Sequence, residues 1–278
     1  SIADAIRQAR ELRRLNDPSI EGGITIHVAA GNYRIYEPLF LRPEDSGTPS
    51  SPTIIKGEGE VIVSGGVTVT GWKRQGKLMV ADVPDFCGRP LDFRQFYVNG
   101  KKAVRARDVA DFEDMYRIIR VDKQKRVLWV PAAAVRKIQK APYAEMVLHE
   151  MWCVANLRIK DIMFAGDSAA VSFHDPESRI QFEHPWPCPM VTTDGHNSAF
   201  YLTNARELLD VPGEWYHDIR AGKLYYYPRQ GELIEEAVVP AVETLLRVEG
   251  TLDRPVRNIR IEGLTFSYST WMRPSLKG

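Results

Sequence analysis

The residues of this 278-residue chain best suited to chemistry are acids and aromatics, most of them toward its C-terminal end. Glu249, Asp253 and Glu262 lie near one another along the chain, and Glu214 stands among aromatics in Pro212-Gly-Glu-Trp215. Two carboxyl groups flanking a bond, roughly 5 to 10 Å apart, are what hydrolysis of a glycosidic linkage needs. Each of the first three acids fits an outward, solvated residue or a turn former better than a catalyst. Glu214, at the entry to a hairpin, fits a hydrogen-bonded corner. Sugars present flat apolar faces, which an exposed aromatic ring beside a polar group can hold. Tyr268, Trp271 and Arg273 answer that description and are the candidate substrate-binding residues, although Trp271 fits packing against its surroundings equally well. Trp215, Tyr216 and Tyr225 to Tyr227 read as cross-strand packing in a hairpin.

Other chemistries find little support. His149-Glu150, His174-Asp175, His184 and His196 form no HExxH or other ligand spacing, so neither metal nor cofactor is expected. GxSxG is absent, and Cys87, Cys153 and Cys188 have no CxxC spacing; they read as small buried hydrophobes. With 37 basic against 36 acidic residues, the net charge of +1 argues against nucleic acid or an anionic membrane as partner. No apolar run approaches the roughly 20 residues of a bilayer span. Catalytic residues are unassigned within the chain at this stage.

The segment that must position the C-terminal candidates runs from Leu245 to Tyr268. It holds three short apolar runs, Leu245 to Val248, Val256 to Ile261 and Leu264 to Phe266, each closed by a turn signal or a charge. The turns are too short for crossover helices, so a parallel sheet of such units must wind as a coil of strands. The expected fold is therefore all-β, a right-handed parallel β-helix. Ser1 to Asn16 reads as an amphipathic helix with a Ser1/Asp4 capping box, laid across the first rung as a cap. Short strands follow at Leu39–Leu41, Thr53–Ile55, Val61–Val63 and Val67–Val69, with Gly57-Glu-Gly59 turning a corner.

From Trp72 the texture changes to antiparallel hairpins: Phe93–Val98 with Lys101–Arg105 through Asn99-Gly100, Tyr116–Val121 with Arg126–Val130, and Glu214–Asp218 with Leu224–Pro228. Further strands are expected at 145–154, 157–162, 170–173 and 199–202. So many strands without intervening helices predict an inserted antiparallel β-sandwich-like domain. Rungs resume at Val238–Val242. The expected division is 1–71 for cap and first rungs, 72–237 for the insert and 238–278 for resumed rungs, truncated before a closing cap, as in the N-terminal part of a longer protein.

Several blocks resemble glycoside hydrolase family 141 and its β-helix relatives. They are Gly31-Asn-Tyr33, Asp45-Ser-Gly47, Ile62-Val-Ser-Gly-Gly-Val-Thr-Val-Thr-Gly-Trp72, Tyr97-Val-Asn-Gly-Lys-Lys-Ala-Val-Arg-Ala-Arg107, Ala199-Phe-Tyr-Leu-Thr-Asn204, Leu209-Asp-Val-Pro-Gly-Glu-Trp-Tyr216, Gly222-Lys-Leu-Tyr-Tyr-Tyr-Pro228 and Asn258-Ile-Arg-Ile-Glu-Gly-Leu-Thr-Phe266. The resemblance implies a bacterial, secreted or periplasmic enzyme that hydrolyses glycosidic bonds in a polysaccharide, with its catalytic carboxylates on rungs beyond residue 278. Residues 1–278 alone are then expected to be inactive. A polysaccharide lyase on the same scaffold, and a non-catalytic glycan-binding or adhesive surface protein, are the alternatives.

Overall fold

The protein, described here from a computed structural model that covers residues 1–183, 185 and 188–273, is mostly β and divides into two units. Its first helix, Ile2–Arg14, begins at the Ser1/Asp4 capping box and buries Ile2, Ile6 and Ala9 on one stripe. That stripe joins Ile26, Val28, Leu39, Leu41, Ile55, Val61 and Val63 in the core of unit 1, which comprises Ser1–Thr68, Pro84–Arg94 and Val238–Trp271. The helix therefore covers the strands that follow it in sequence.

Those strands are parallel. Ile24–Arg34, Thr53–Ser64 and Ile259–Ser267 form one sheet with Thr53–Ser64 in the middle. The register lines up Ile26, Ile55 and Ile261, and likewise Tyr33, Val63 and Phe266, so like residues stack along the sheet. Leu39–Leu41 pairs in parallel with Leu246–Val248.

Two local expectations are corrected. Thr53–Ile55 and Val61–Val63 belong to one strand that runs through Gly57 and Gly59, with register shifts against both neighbours. The glycines let the backbones close up without breaking the ladder: a Cβ on Gly57 would lie 2.2 Å from the Gly263 carbonyl oxygen. Of the rung expected at Val238–Val242, strand Ala237–Pro240 instead runs antiparallel to Gly66–Thr68, while Val242 makes a parallel bridge to Ser269. The chain leaves unit 1 along one strand and returns along its neighbour, which forces opposite directions.

The Asp45-Ser-Gly47 motif is where unit 1 is tied together. Asp45 is 3% exposed and accepts two hydrogen bonds from the Arg10 guanidinium, at 2.8 and 2.9 Å, and one from the Arg42 backbone at 2.7 Å. The Asp45 carbonyl accepts from the Thr53 hydroxyl, which in turn accepts from Arg13. Ser46 and Gly47 bond the backbone of Arg257, and Gly47 accepts from the Asn258 side chain. One turn thus joins the helix, the middle strand and the approach to the third strand.

Unit 2 comprises Val69–Val83, Gln95–Ala237 and the chain from Met272. It holds a seven-stranded sheet in the order 116–117, 199–203, 145–149, 154–165, 168–173, 127–131 and 120–122. A five-stranded sheet runs in the order 104–105, 214–218, 223–226, 78–82 and 73–75. Nearly all these pairings are antiparallel, and residues of both sheets, among them Met146, Leu148, Phe200, Tyr216 and Tyr225, share one core. The Asn99-Gly100 turn has the positive φ angles, 50° and 72°, that its hairpin demands.

The expectation that helices are missing from this region is also corrected. Ala132–Val135 and Glu177–Glu183 are helical. Asp175-Pro-Glu177 carries a helix-start signal, since proline suits the first turn, and Arg158 clamps Glu177 at 2.7 Å. The break expected after Val154 falls earlier, at Glu150–Cys153, between strands Glu145–His149 and Val154–Ala165.

Two stability predictions follow from unit 1. Asp45→Ala strands Arg10 and is expected to cost about 3 kcal/mol, whereas Arg7→Ala, which loses only an exposed, solvent-screened pair with Asp4, should leave the unfolding midpoint essentially unchanged; urea unfolding measures both. Gly57→Ala should destabilise by about 1–3 kcal/mol through overpacking against the Gly263 carbonyl, read as a lowered unfolding midpoint.

Candidate functional site

The acids singled out from the sequence are not brought together as a catalytic pair. Glu249 pairs with Arg247 at 2.7 Å and Glu262 with Arg260 at 3.3 Å, both on the surface, and Asp253 lies in an exposed loop. Glu214 is buried and accepts backbone hydrogen bonds from Val211 at 3.1 Å, Asp210 at 3.2 Å and Arg107 at 3.3 Å. Burial raises its pKa, and the three N–H groups oppose that rise. It is a corner residue: it holds the turn that launches strand Glu214–Asp218 and ties it to the neighbouring Val104–Arg105 strand region.

Of the candidate sugar-binding residues, Tyr268 and Trp271 follow the third parallel strand. Tyr268 takes a left-handed φ of 60° and lies half-buried against Gly66, where a Cβ would stand 3.0 Å from the Tyr268 Cβ. Trp271 is 47% exposed, with the Arg94 guanidinium 5.7 Å from its ring centre. Arg273 is exposed and counts with unit 2. An open aromatic ring with a cation beside it is a suitable surface for a sugar.

Sequence reasoning passed over two clusters in unit 2. The first is buried. Arg105 pairs with Glu145 at 2.9 Å and lies over the Trp215 ring at 5.7 Å. His217, two residues along the same face of the strand, is held neutral, its pKa pushed down to about 4 by burial and then by the positive charge of Arg105. Only the fold assembles this group, because its members come from three strands.

The second cluster surrounds the turn between Glu145–His149 and Val154–Ala165. Glu150 donates its N–H to the Cys153 carbonyl at 2.9 Å, while its carboxylate accepts from the Cys153 thiol at 2.8 Å and from the Gln181 amide. Burial raises the pKa of Glu150, and burial with the adjoining carboxylate pushes Cys153 up to about 12. Cys153 is therefore no nucleophile at neutral pH. Met151 and Trp152 project from this turn. Beside it His149 packs edge-on to Phe112 at 5.5 Å, and Arg117 lies 4.6 Å over the same Phe112 ring. Burial and the Arg117 charge lower the His149 pKa.

Among the described residues no group of three or more His, Cys, Asp or Glu side chains is placed to hold a metal ion, and His184 lies outside them. Among the described residues no helix is long and apolar enough to cross a membrane.

Comparison with known proteins supplies what geometry does not. A family model described as the GH141 insertion domain matches residues 76–229, more than half of the chain. The chain belongs to the GH141 insertion-domain family. A solved structure named "Glycoside hydrolase" is 64% identical and superposes with a TM-score of 0.93, covering 99% of this chain. This chain spans 48% of that one. No curated protein matches. The insertion-domain match falls on the antiparallel sheets of unit 2, and the motif blocks within it are now structural: Glu214 is a corner, Asn99 bonds Leu233, Glu235 and Glu236, and Asn204 bonds the Tyr143 carbonyl.

The buried histidine gives a pH prediction. Between about pH 6.5 and about 4 the unfolded chain takes up a proton that folded His217 refuses, so stability falls as pH drops through that window. The slope contributed by this residue is at most about 1.4 kcal/mol per pH unit. Chemical denaturation at several pH values should show the wild type losing more stability than His217→Gln over this range.

Proposed function

We propose that this chain forms part of a glycoside hydrolase that cleaves glycosidic bonds in a polysaccharide, and that the carboxylates doing so lie outside residues 1–278. The observation that carries this reading is the 64% identity over 99% of the chain to a protein named "Glycoside hydrolase", of which the chain spans 48%. The acids present here agree with it, because Glu249 and Glu262 are spent on surface ion pairs and Glu214 on a corner.

In this reading unit 1 is the opening of a right-handed parallel β-helix. Its support is the three-strand parallel ladder, the second parallel pair at Leu39–Leu41, and helix Ile2–Arg14 packed on one end. Residues 72–237 are a sandwich-like insert, and the stretch after it resumes the winding through its parallel strands, Leu246–Val248 and Ile259–Ser267. Tyr268, Trp271 and Arg273 contact substrate. The protein acts outside the cytoplasm, secreted or periplasmic, where polysaccharide is met.

The test is turnover by the parent protein against a panel of plant and host glycans, with reducing-end release as readout. Hydrolysis products are expected from the parent and none from residues 1–278. An unsaturated product absorbing in the ultraviolet would instead identify a lyase, and glycan binding without any product an adhesive protein. Trp271→Ala in the parent should raise KM with little change in kcat, the result for a residue that binds ground and transition states alike.

A further inference from the structure

We infer that the outer face of the two-stranded parallel sheet in unit 1 is an accessory binding site for the carboxylate of an acidic sugar, with Arg42 and Arg247 as the groups that hold it. The inference rests on the glycan substrate proposed above and names one chemical class within it, while the site itself plays no part in bond cleavage.

Strand Leu39–Leu41 buries Leu39 and Leu41 and turns Phe40 the other way. The parallel register sets Phe40 beside Arg247 of strand Leu246–Val248, and Arg42 stands two residues beyond Phe40. Both guanidinium groups come to rest at the same ring, Arg42 at 5.5 Å from its centre and Arg247 at 5.6 Å. A ring face attracts a cation, but two cations at one ring repel each other. The arrangement is costly unless an anion joins them.

Glu249 answers only one of the two, pairing with Arg247 at 2.7 Å. The Arg42 guanidinium has neither a carboxylate nor a hydrogen-bond acceptor among the described residues, only the ring. Elsewhere in unit 1, Arg10, Arg14, Arg254 and Arg260 each have a carboxylate of their own. A guanidinium carries its N–H donors at its edge, in a fork that fits a carboxylate, and contact with a ring leaves that edge open. The backbone beneath is fixed: the Phe40 carbonyl accepts from Arg10 at 3.3 Å, and the Arg42 N–H donates to the buried Asp45 carboxylate at 2.7 Å. An incoming carboxylate thus meets donors carried on chain that is already held, which keeps the ordering cost of binding small. A nucleic acid would call for a broad basic footprint, whereas here Glu249 stands within the site and the whole chain carries +1.

The experiment is affinity electrophoresis of the 278-residue chain through native gels cast with alginate or polygalacturonate, each run beside a gel of its neutral ester and a polymer-free gel. Wild type is expected to be retarded by at least one acid polymer and by neither ester, and less so as the ionic strength is raised. Arg42→Gln should weaken binding about ten-fold, and Arg42→Lys, which keeps the charge without the fork, should recover only part of it. Glu249→Gln, which removes the competing internal carboxylate, should tighten binding. Arg254→Gln takes a positive charge from elsewhere on the surface of unit 1 and should leave binding unchanged. All these side chains lie at the surface, so thermal unfolding should stay as in wild type and separates lost binding from lost fold. No retardation by either acid polymer, equal retardation by acid and ester, or a loss in Arg42→Gln no greater than in Arg254→Gln overturns the proposal. Retardation by dextran sulfate alone overturns it in favour of a sulfated sugar. Turnover by the parent protein is scored separately: hydrolysis of a polysaccharide without retardation sinks this site and leaves the proposed function standing, while retardation without hydrolysis does the reverse.

Discussion

The carboxylate of Asp45 is the contact on which unit 1 turns. A sheet that stacks Ile26 on Ile55 on Ile261 leaves apolar side chains and unpaired backbone at its ends. Helix Ile2–Arg14 covers the end at strand Ile24–Arg34, but a helix held by apolar contact alone could slide along its own stripe. Arg10 fixes its position by a two-pronged bond to a buried anion, and that anion belongs to the same turn that bonds Arg257 and Asn258 beside the third strand. Burying Asp45 is costly in itself, and the Arg10 and Arg42 donors are what offset the cost. The pair therefore specifies geometry more than it adds net stability.

The same economy recurs in unit 2 with other residue types. Glu214 and Asn99 spend their polar side-chain atoms on backbone groups of segments distant in sequence or on the turn beside them, and the Asn204 amide nitrogen donates to the Tyr143 carbonyl. An irregular connection has no ladder to satisfy its N–H and C=O groups, so a side chain must do it. This explains why motif blocks shared with glycoside hydrolase family 141 contain acids and amides that look catalytic in the sequence yet are structural in the fold. The blocks identify an architecture, and an architecture does not by itself fix a chemistry.

Trp271, with the Arg94 guanidinium 5.7 Å from its ring centre, keeps nearly half of its surface open at 47% exposure. Glu249 and Glu262, by contrast, are engaged in surface ion pairs with Arg247 and Arg260, and the 64%-identical structure named "Glycoside hydrolase" is a chain of which this one spans 48%.

Periodicity and turn chemistry by themselves determined the helix at Ile2–Arg14 with its capping box, the Asn99-Gly100 and Glu214–Asp218 hairpins, the mostly-β character and, through motif blocks, the family. These are local properties, set within a few residues by burial pattern and backbone preference. What tertiary structure decided is non-local. One strand runs through Gly57 and Gly59 because the backbone of Gly263, far along the sequence, presses against it. Ala237–Pro240 is antiparallel because it returns beside the strand by which the chain left. Helix Glu177–Glu183 is anchored by Arg158 on a sheet strand, and the Arg105, Glu145 and His217 group is assembled from three strands. No spacing along the chain encodes those meetings, because each depends on which backbones lie side by side once the sheets have formed.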